Sequence, residues 1–191
     1  MTFAPLADRL WTNDQSSALL RNGALALIGS VLIAVAAQIN VPMQPVPMTL
    51  QTLAVLAVGA AFGWRLGAAT VALYVLEGAV GLPVFAEMKA GLAVLVGPTG
   101  GYLLGFILAA AVVGYLAERG FDRSAPKMML AMLIGAAVLY VPGLVWLSGF
   151  VGGMDGAFTF GFVPFWIGDI VKAAVAALAF PTVWKWLGDA R

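Results

Sequence analysis

The sequence contains no cysteine and no histidine. Without them there is no disulfide, thiolate nucleophile, histidine-ligated haem, zinc site of the usual ligand types or Ser-His-Asp triad. Charge is scarce too: Lys, Arg, Asp and Glu make up 10% of the 191 residues, against about 25% in an ordinary soluble domain. The net charge of +1 and the lack of a basic run exclude a nucleic-acid-binding polyelectrolyte. What is present is apolar: 62% of the chain besides 23 glycines, with a mean hydropathy of +0.99. A water-soluble globule this small cannot hide so much apolar surface. The composition predicts an all-α integral membrane protein.

A membrane span needs about 20 mostly apolar residues. Six runs qualify as transmembrane helices: 23–41, 49–64, 66–82, 99–117, 128–148 and 161–184. The second and third are short and separated only by Gly63-Trp64-Arg65, which predicts a tight hairpin. Residues 83–98 are apolar but broken by Pro83, Glu87, Lys89, Gly91, Gly97 and Pro98, and read as a structured or re-entrant loop. With the N-terminus cytoplasmic, Arg9, Arg21, Arg65, Arg119, Arg123, Lys127, Lys185 and Arg191 fall inside, whereas the outer loops hold Lys89 alone. That bias predicts that both termini are cytoplasmic. A secretory leader cleaved at Ala34-Val35-Ala36 is disfavoured, because Asp8 and Asp14 make a poor n-region. The organisation expected is a cytoplasmic arm, 1–21, and one membrane domain, 22–191. No internal repeat is visible. The run Gly97-Pro98-Thr99-Gly100-Gly101 lacks the ending of a phosphate loop, so the chain has no nucleotide site of its own.

Two charges sit where charge is costly. Asp169 and Lys172 lie in the outer part of the last span, three residues apart and so on one helical face. At a helix centre each costs roughly 2.5–3.5 kcal/mol, which marks such a pair as a ligand-site candidate facing the bundle interior. The plainer reading is an ion pair that only locks helices together. Glu77, near the outer end of the third span, either contacts ligand or snorkels outward. Gln51, Gln38 and Asn40 carry amides suited to ligand binding or to helix–helix bonding. Pro42, Pro45 and Pro47 stiffen the first outer loop. Phe85, Met43, Met48, Met88, Tyr74 and Trp146 are candidate walls of an apolar pocket, or else interface-belt residues. Gly97, Gly101, Gly105 and Ala109, and likewise Ala26, Ser30 and Ala34, recur every four residues. Such small-residue ridges pack helices within a bundle or against a second membrane subunit.

Four runs together resemble one family. They are Val46-Pro47-Met48-Thr49-Leu50-Gln51-Thr52, Gly81-Leu82-Pro83-Val84-Phe85-Ala86, Gly97-Pro98-Thr99-Gly100-Gly101-Tyr102-Leu103-Leu104-Gly105-Phe106 and Gly168-Asp169-Ile170-Val171-Lys172. In order and spacing, over about residues 22–187, they are similar to the BioY family, the biotin-specific S components of energy-coupling-factor (ECF) transporters.

The resemblance implies a six-helix S-component bundle in the bacterial inner membrane, with biotin bound near the extracytoplasmic face under the first outer loop and the loop after the third span. It implies as partners a transmembrane coupling protein and a pair of cytoplasmic ATPases, or solitary and oligomeric action where these are lacking. It assigns Asp169 and Lys172 to ligand binding, Glu77 to a position of polar ligand contact and Lys89 to a basic loop role. It places a coupling surface on the first helix at Ala26, Ser30 and Ala34, where Ser30 interrupts the Ala-x-x-x-Ala pattern. The ligand-binding set is thus Asp169, Lys172, Glu77, Gln51, Phe85, Tyr74 and Lys89, with no catalytic residue, metal or cofactor besides the transported biotin. Three rivals remain: an S component for another vitamin, an intramembrane enzyme pairing the carboxylates of Asp169 and Glu77, and a purely structural subunit.

Overall fold

The computed structural model describes residues 3–10 and 18–188; Asp14 and Arg191, used above, lie outside the described residues. Eight helices are present among the described residues. They are α1 (Leu6–Leu10), α2 (Ala18–Gln38), α3 (Gln51–Ala79), α4 (Leu92–Val96), α5 (Gly100–Ala117), α6 (Ala125–Ser148), α7 (Met154–Gly161) and α8 (Trp166–Trp186). Between α2 and α3 the proline-rich loop forms a two-stranded antiparallel ribbon, β1 (Asn40–Val41) and β2 (Met48–Thr49), with Asn40 opposite Thr49. Five of the helices are long and apolar enough to cross a membrane.

The longest of these, α3, is a hairpin. Gly63 leaves the helical region at φ 79° and ψ 173°. A straight helix would hold Gly59 and Gly67 about 12 Å apart. Instead a Cβ on Gly67 would lie 2.8 Å from the Gly59 Cα. The arms 51–62 and 64–79 therefore run antiparallel, as expected from the short runs around Gly63, and among the described residues there are six long helical arms. Other boundaries differ. The first long helix starts at Ala18, inside the expected arm, and ends at Gln38 because the chain enters β1. The last begins at Trp166 rather than residue 161, since α7 and a turn at 162–165 come first. Segment 83–98 holds a 3-10 turn (Ala86–Met88) and α4, in keeping with a structured loop.

On α2 the inner face is made mostly of small residues, with Ile33 the one large side chain buried, and the outer face of large apolar ones. On α2, Gly29, Ser30, Ala36 and Ala37 are buried, while Leu27, Ile28, Val31, Leu32 and Val35 are exposed. Small inner faces bring backbones close, the pattern of bundles whose solvent is lipid. The ridge on α5 works this way, since Gly101 and Gly105 abut Trp146, Pro142 and the Leu139 backbone of α6. Its other side meets the α3 hairpin, where Ala110 touches Gly59 and Gly114 touches Trp64. On α2, Ser30 is fully buried and its hydroxyl donates to Glu77 Oε1 (3.0 Å). The middle of the Ala26-Ser30-Ala34 stripe thus faces α3 and is not an outward docking surface.

The two ends of the bundle differ. At one end Leu6 and Ala7 of α1 bury against the hairpin tip that bears Arg65. There the Trp64 N–H donates to Glu118 Oε1 (3.1 Å) and the Phe3 N–H to the Glu118 carbonyl (2.6 Å). Arg123 stacks between Phe3 (4.3 Å) and Trp184 (4.2 Å). Arg119 and Lys127 flank the same α5–α6 connection, and Lys185 follows Trp184. The opposite end carries the ribbon, the 81–98 loop, α7 and the start of α8.

Candidate functional site

At that second end the helices leave a pocket of about 730 Å³, including its open mouth. Its polar floor is built on α8. Asp169 accepts hydrogen bonds from the Tyr140 hydroxyl at Oδ2 and from Lys172 Nζ at Oδ1 (3.2 Å). Lys172 Nζ also donates to Thr52 Oγ1 (2.7 Å) on the first turns of α3, and the Thr52 hydroxyl lies 3.5 Å from Asp169 Oδ1. The pair is nearly sealed, with 13% of the Lys172 side chain and 9% of that of Asp169 exposed. An ionised group taken out of water is tolerated when it is paired and hydrogen-bonded. Here one helical face supplies both signs, and α3 and α6 supply the hydroxyls that complete the network. Lys172 spends two N–H groups on protein, which leaves a third to donate.

The walls are apolar and largely aromatic. Phe85, Tyr102, Phe106, Tyr140 and Phe165 line the pocket with Leu103, Leu139, Val94, Val46 and Pro47. Two of the phenols are held edge-on, Tyr102 against Tyr140 (6.3 Å) and Tyr140 against Phe162 (5.0 Å). Tyr102 also donates to the Gly161 carbonyl (2.9 Å), which ties α7 to α5. Gln51, the first residue of α3, lines the pocket and donates to the Tyr74 hydroxyl (3.0 Å), which in turn donates to the Val84 carbonyl (3.0 Å). Lys89 sits at the rim with its side chain 53% exposed, paired with Glu87 at 2.6 Å.

Of the residues expected from sequence, Asp169, Lys172, Gln51, Phe85 and Lys89 come together around this pocket. Tyr74 lies one layer behind, fully buried and edge-on to Phe85 (5.6 Å). Glu77 is elsewhere. Side chains on a helix lean toward its N-terminus, so Glu77 reaches back along α3 to Ser30 and does not line the pocket. It neither contacts the pocket nor pairs with Asp169, which removes the two-carboxylate arrangement an intramembrane enzyme would need. Met43, Met48, Met88 and Trp146 do not line the pocket; Trp146 instead donates to the Gly97 carbonyl (2.9 Å). Sequence reasoning missed Thr52, Tyr102, Phe106, Tyr140 and Phe165. The available signal was the hydroxyl: a phenol inside an apolar run needs a buried partner. The arrangement suits a small molecule with a polar head and an apolar body.

The family model matching this chain is that of the BioY family, over residues 10–189. A biotin transporter BioY of Thermotoga maritima is 46% identical over 151 residues, covering 79% of this chain and 88% of that protein. One from Rhizobium etli is 38% identical over 163 residues, covering 80% and 87%. Among solved structures, the S-component for biotin from an ECF-type ABC transporter superposes with a TM-score of 0.79 at 20% identity, covering 91% of this chain and 95% of that one. FolT bound with folic acid superposes with a TM-score of 0.59 at 16% identity, covering 88% and 91%. These last two share the fold.

Proposed function

This chain belongs to the BioY family, and from that premise we propose that it is the biotin-capturing membrane subunit of a vitamin uptake transporter. It is a multi-pass membrane protein and a transporter component, not an enzyme. The observation that carries the reading is the buried Asp169–Lys172 pair at the floor of an apolar-walled pocket. Biotin offers ureido N–H donors and a carbonyl acceptor at one end, an apolar thioether ring, and a carboxylate at the end of its chain. Burial supports one pairing of the two ends with the two lysines. The sealed Lys172, with one N–H to spare, suits the neutral ureido carbonyl. The half-exposed Lys89 at the rim suits the carboxylate, which keeps part of its hydration there. Gln51 contributes amide hydrogen bonding and Phe85 covers the rings, with Tyr74 as its backing.

The gathering of Arg and Lys residues at the end opposite the pocket supports a cytoplasmic location for that end, with six spans and the pocket facing outward across the bacterial inner membrane. In this orientation residues 1–21 form a cytoplasmic arm of the membrane domain 22–191. An ECF coupling protein and ATPase pair would supply the energy for release inward.

The test is direct. Mass spectrometry of the purified protein should find biotin co-purified. Labelled biotin should then bind saturably and be displaced by excess biotin but not by thiamine, riboflavin or folate. Displacement by another vitamin, or no saturable binding, overturns the proposal.

A further inference from the structure

The loop after α3 places Phe85, Ala86 and Lys89 on the pocket, yet it has no glycine or proline between positions 85 and 89 to set its shape. Glu87 and Met88 both occupy the left-handed region, at φ 60° and 57°. For residues with a Cβ this conformation is unfavourable and persists only when the surroundings impose it.

Within the loop the Phe85 N–H donates to the Lys89 carbonyl (3.1 Å) and Lys89 pairs with Glu87, and from outside one side chain spans the segment. Gln38 closes α2, and its Nε2 donates to the Phe85 carbonyl (3.0 Å) with the Val84 carbonyl at 3.5 Å. Its Oε1 accepts the Met88 N–H (3.0 Å). A single amide thus serves the backbone ahead of the left-handed pair and at its second member, as a neighbouring strand would. The anchor is itself fixed: Asn40 Nδ2 donates to the Gln38 carbonyl (3.0 Å), and the Leu50 N–H donates to the Ile39 carbonyl (2.9 Å) where the ribbon returns to α3. From the far side the Tyr74 hydroxyl reaches the Val84 carbonyl. Gln38 does not line the pocket.

We propose that Gln38 is a positioning residue whose amide holds residues 84–88 closed over the pocket and thereby sets how fast the ligand leaves, without touching it. The link between loop and dissociation rate rests on the biotin reading above. The hold of Gln38 on the loop does not.

The chain lacks cysteine, so Met88→Cys gives a unique labelling point on a side chain that is 62% exposed. A nitroxide there should be restrained in the ligand-free full-length protein and gain a mobile component with Gln38→Met. In unlabelled protein the same substitution should speed labelled-biotin dissociation about tenfold, the scale of a lost pair of backbone hydrogen bonds. The association rate should not fall, and the thermal midpoint should drop by no more than a few degrees. Gln38→Asn, polar but one methylene short, should shift both readouts the same way, and it serves should the Met variant fail to fold. Unchanged label mobility in the folded variants overturns the proposal, and so does greater mobility with an unchanged dissociation rate. If the unaltered protein binds no biotin, the functional reading fails, and label mobility alone then decides whether Gln38 holds the loop.

Discussion

Among the described residues two aspartates are buried, at opposite ends of the bundle. Asp169 is 8% exposed and Asp122 2%. By burial alone Asp122 is the stronger candidate for a site, but its surroundings say otherwise. One of its oxygens accepts the Trp184 indole N–H (2.6 Å), and the other has no hydrogen-bond partner among the described residues. Asp122 also lines neither the pocket nor the small cavity next to it around Thr52, Asp169 and Lys172. It ties the α5–α6 connection to the end of α8. Asp169 is answered by a hydroxyl and an ammonium, borders the pocket, and shares a lysine with one donor to spare. Burial of a carboxylate reports a constraint. Donors left over beside an empty space are what indicate a ligand.

Breaking the Asp169 side of this contrast should have the largest effect. Lys172→Ala leaves Asp169 sealed without its counter-charge and removes the spare donor, which should weaken biotin binding about 100-fold by equilibrium binding. Asp169→Asn keeps an acceptor for Tyr140 and should cost at least about tenfold. Wild-type affinity in either folded variant would sink the site assignment.

On the other side, Asp122→Ala should leave the biotin dissociation constant unchanged while lowering stability by about 1–3 kcal/mol, because the Trp184 N–H loses its acceptor inside the protein. Thermal unfolding alongside a binding assay separates the two outcomes. Burial pushes the Asp122 carboxyl above its usual range, against the opposing pull of the Trp184 hydrogen bond and of Arg123. The folded state therefore keeps a proton at pH values where the unfolded chain has released it. Stability from this group is present below about pH 4, the ordinary aspartate value, and is lost as pH rises through the elevated folded value. Asp122→Asn should flatten that part of the stability–pH curve.

The smallest effect expected is that of Tyr140→Phe. The ring stays and keeps its edge contacts, so only one of the hydrogen bonds to Asp169 goes. Affinity should fall about three- to tenfold. No change would mean that Lys172 and Thr52 suffice to orient the carboxylate.

The same contrast marks how far the sequence could be read. Asp169 and Lys172 stood out because charge inside an apolar run is conspicuous and their spacing sets them on one face. Asp122 was invisible: it lies between Arg119, Arg123 and Lys127 in what reads as a solvated connection, and its hydrogen-bond partner Trp184 returns to it sixty-two positions later. The α3 hairpin was legible from two short runs meeting at a glycine. The direction of Glu77 was not, because the sequence places it by depth, whereas the lean of its side chain carries it toward Ser30. Thr52 and Tyr140 escaped notice because their partner, Asp169, lies 117 and 29 positions away in the chain.

The frame and the lining also stand under different freedoms. Where Gly59 meets Ala110 and Gly114 meets Trp64, main chain lies directly on main chain, and a single added methyl would have nowhere to go. The pocket is bounded by side chains from loops and from α3, α5, α6 and α8, and none of its lining residues is one of the glycines at those two crossings. Such a molecule can drift in what it carries while its scaffold stays frozen, so descendants with altered tastes should differ around the mouth and floor long before any glycine at those crossings changes.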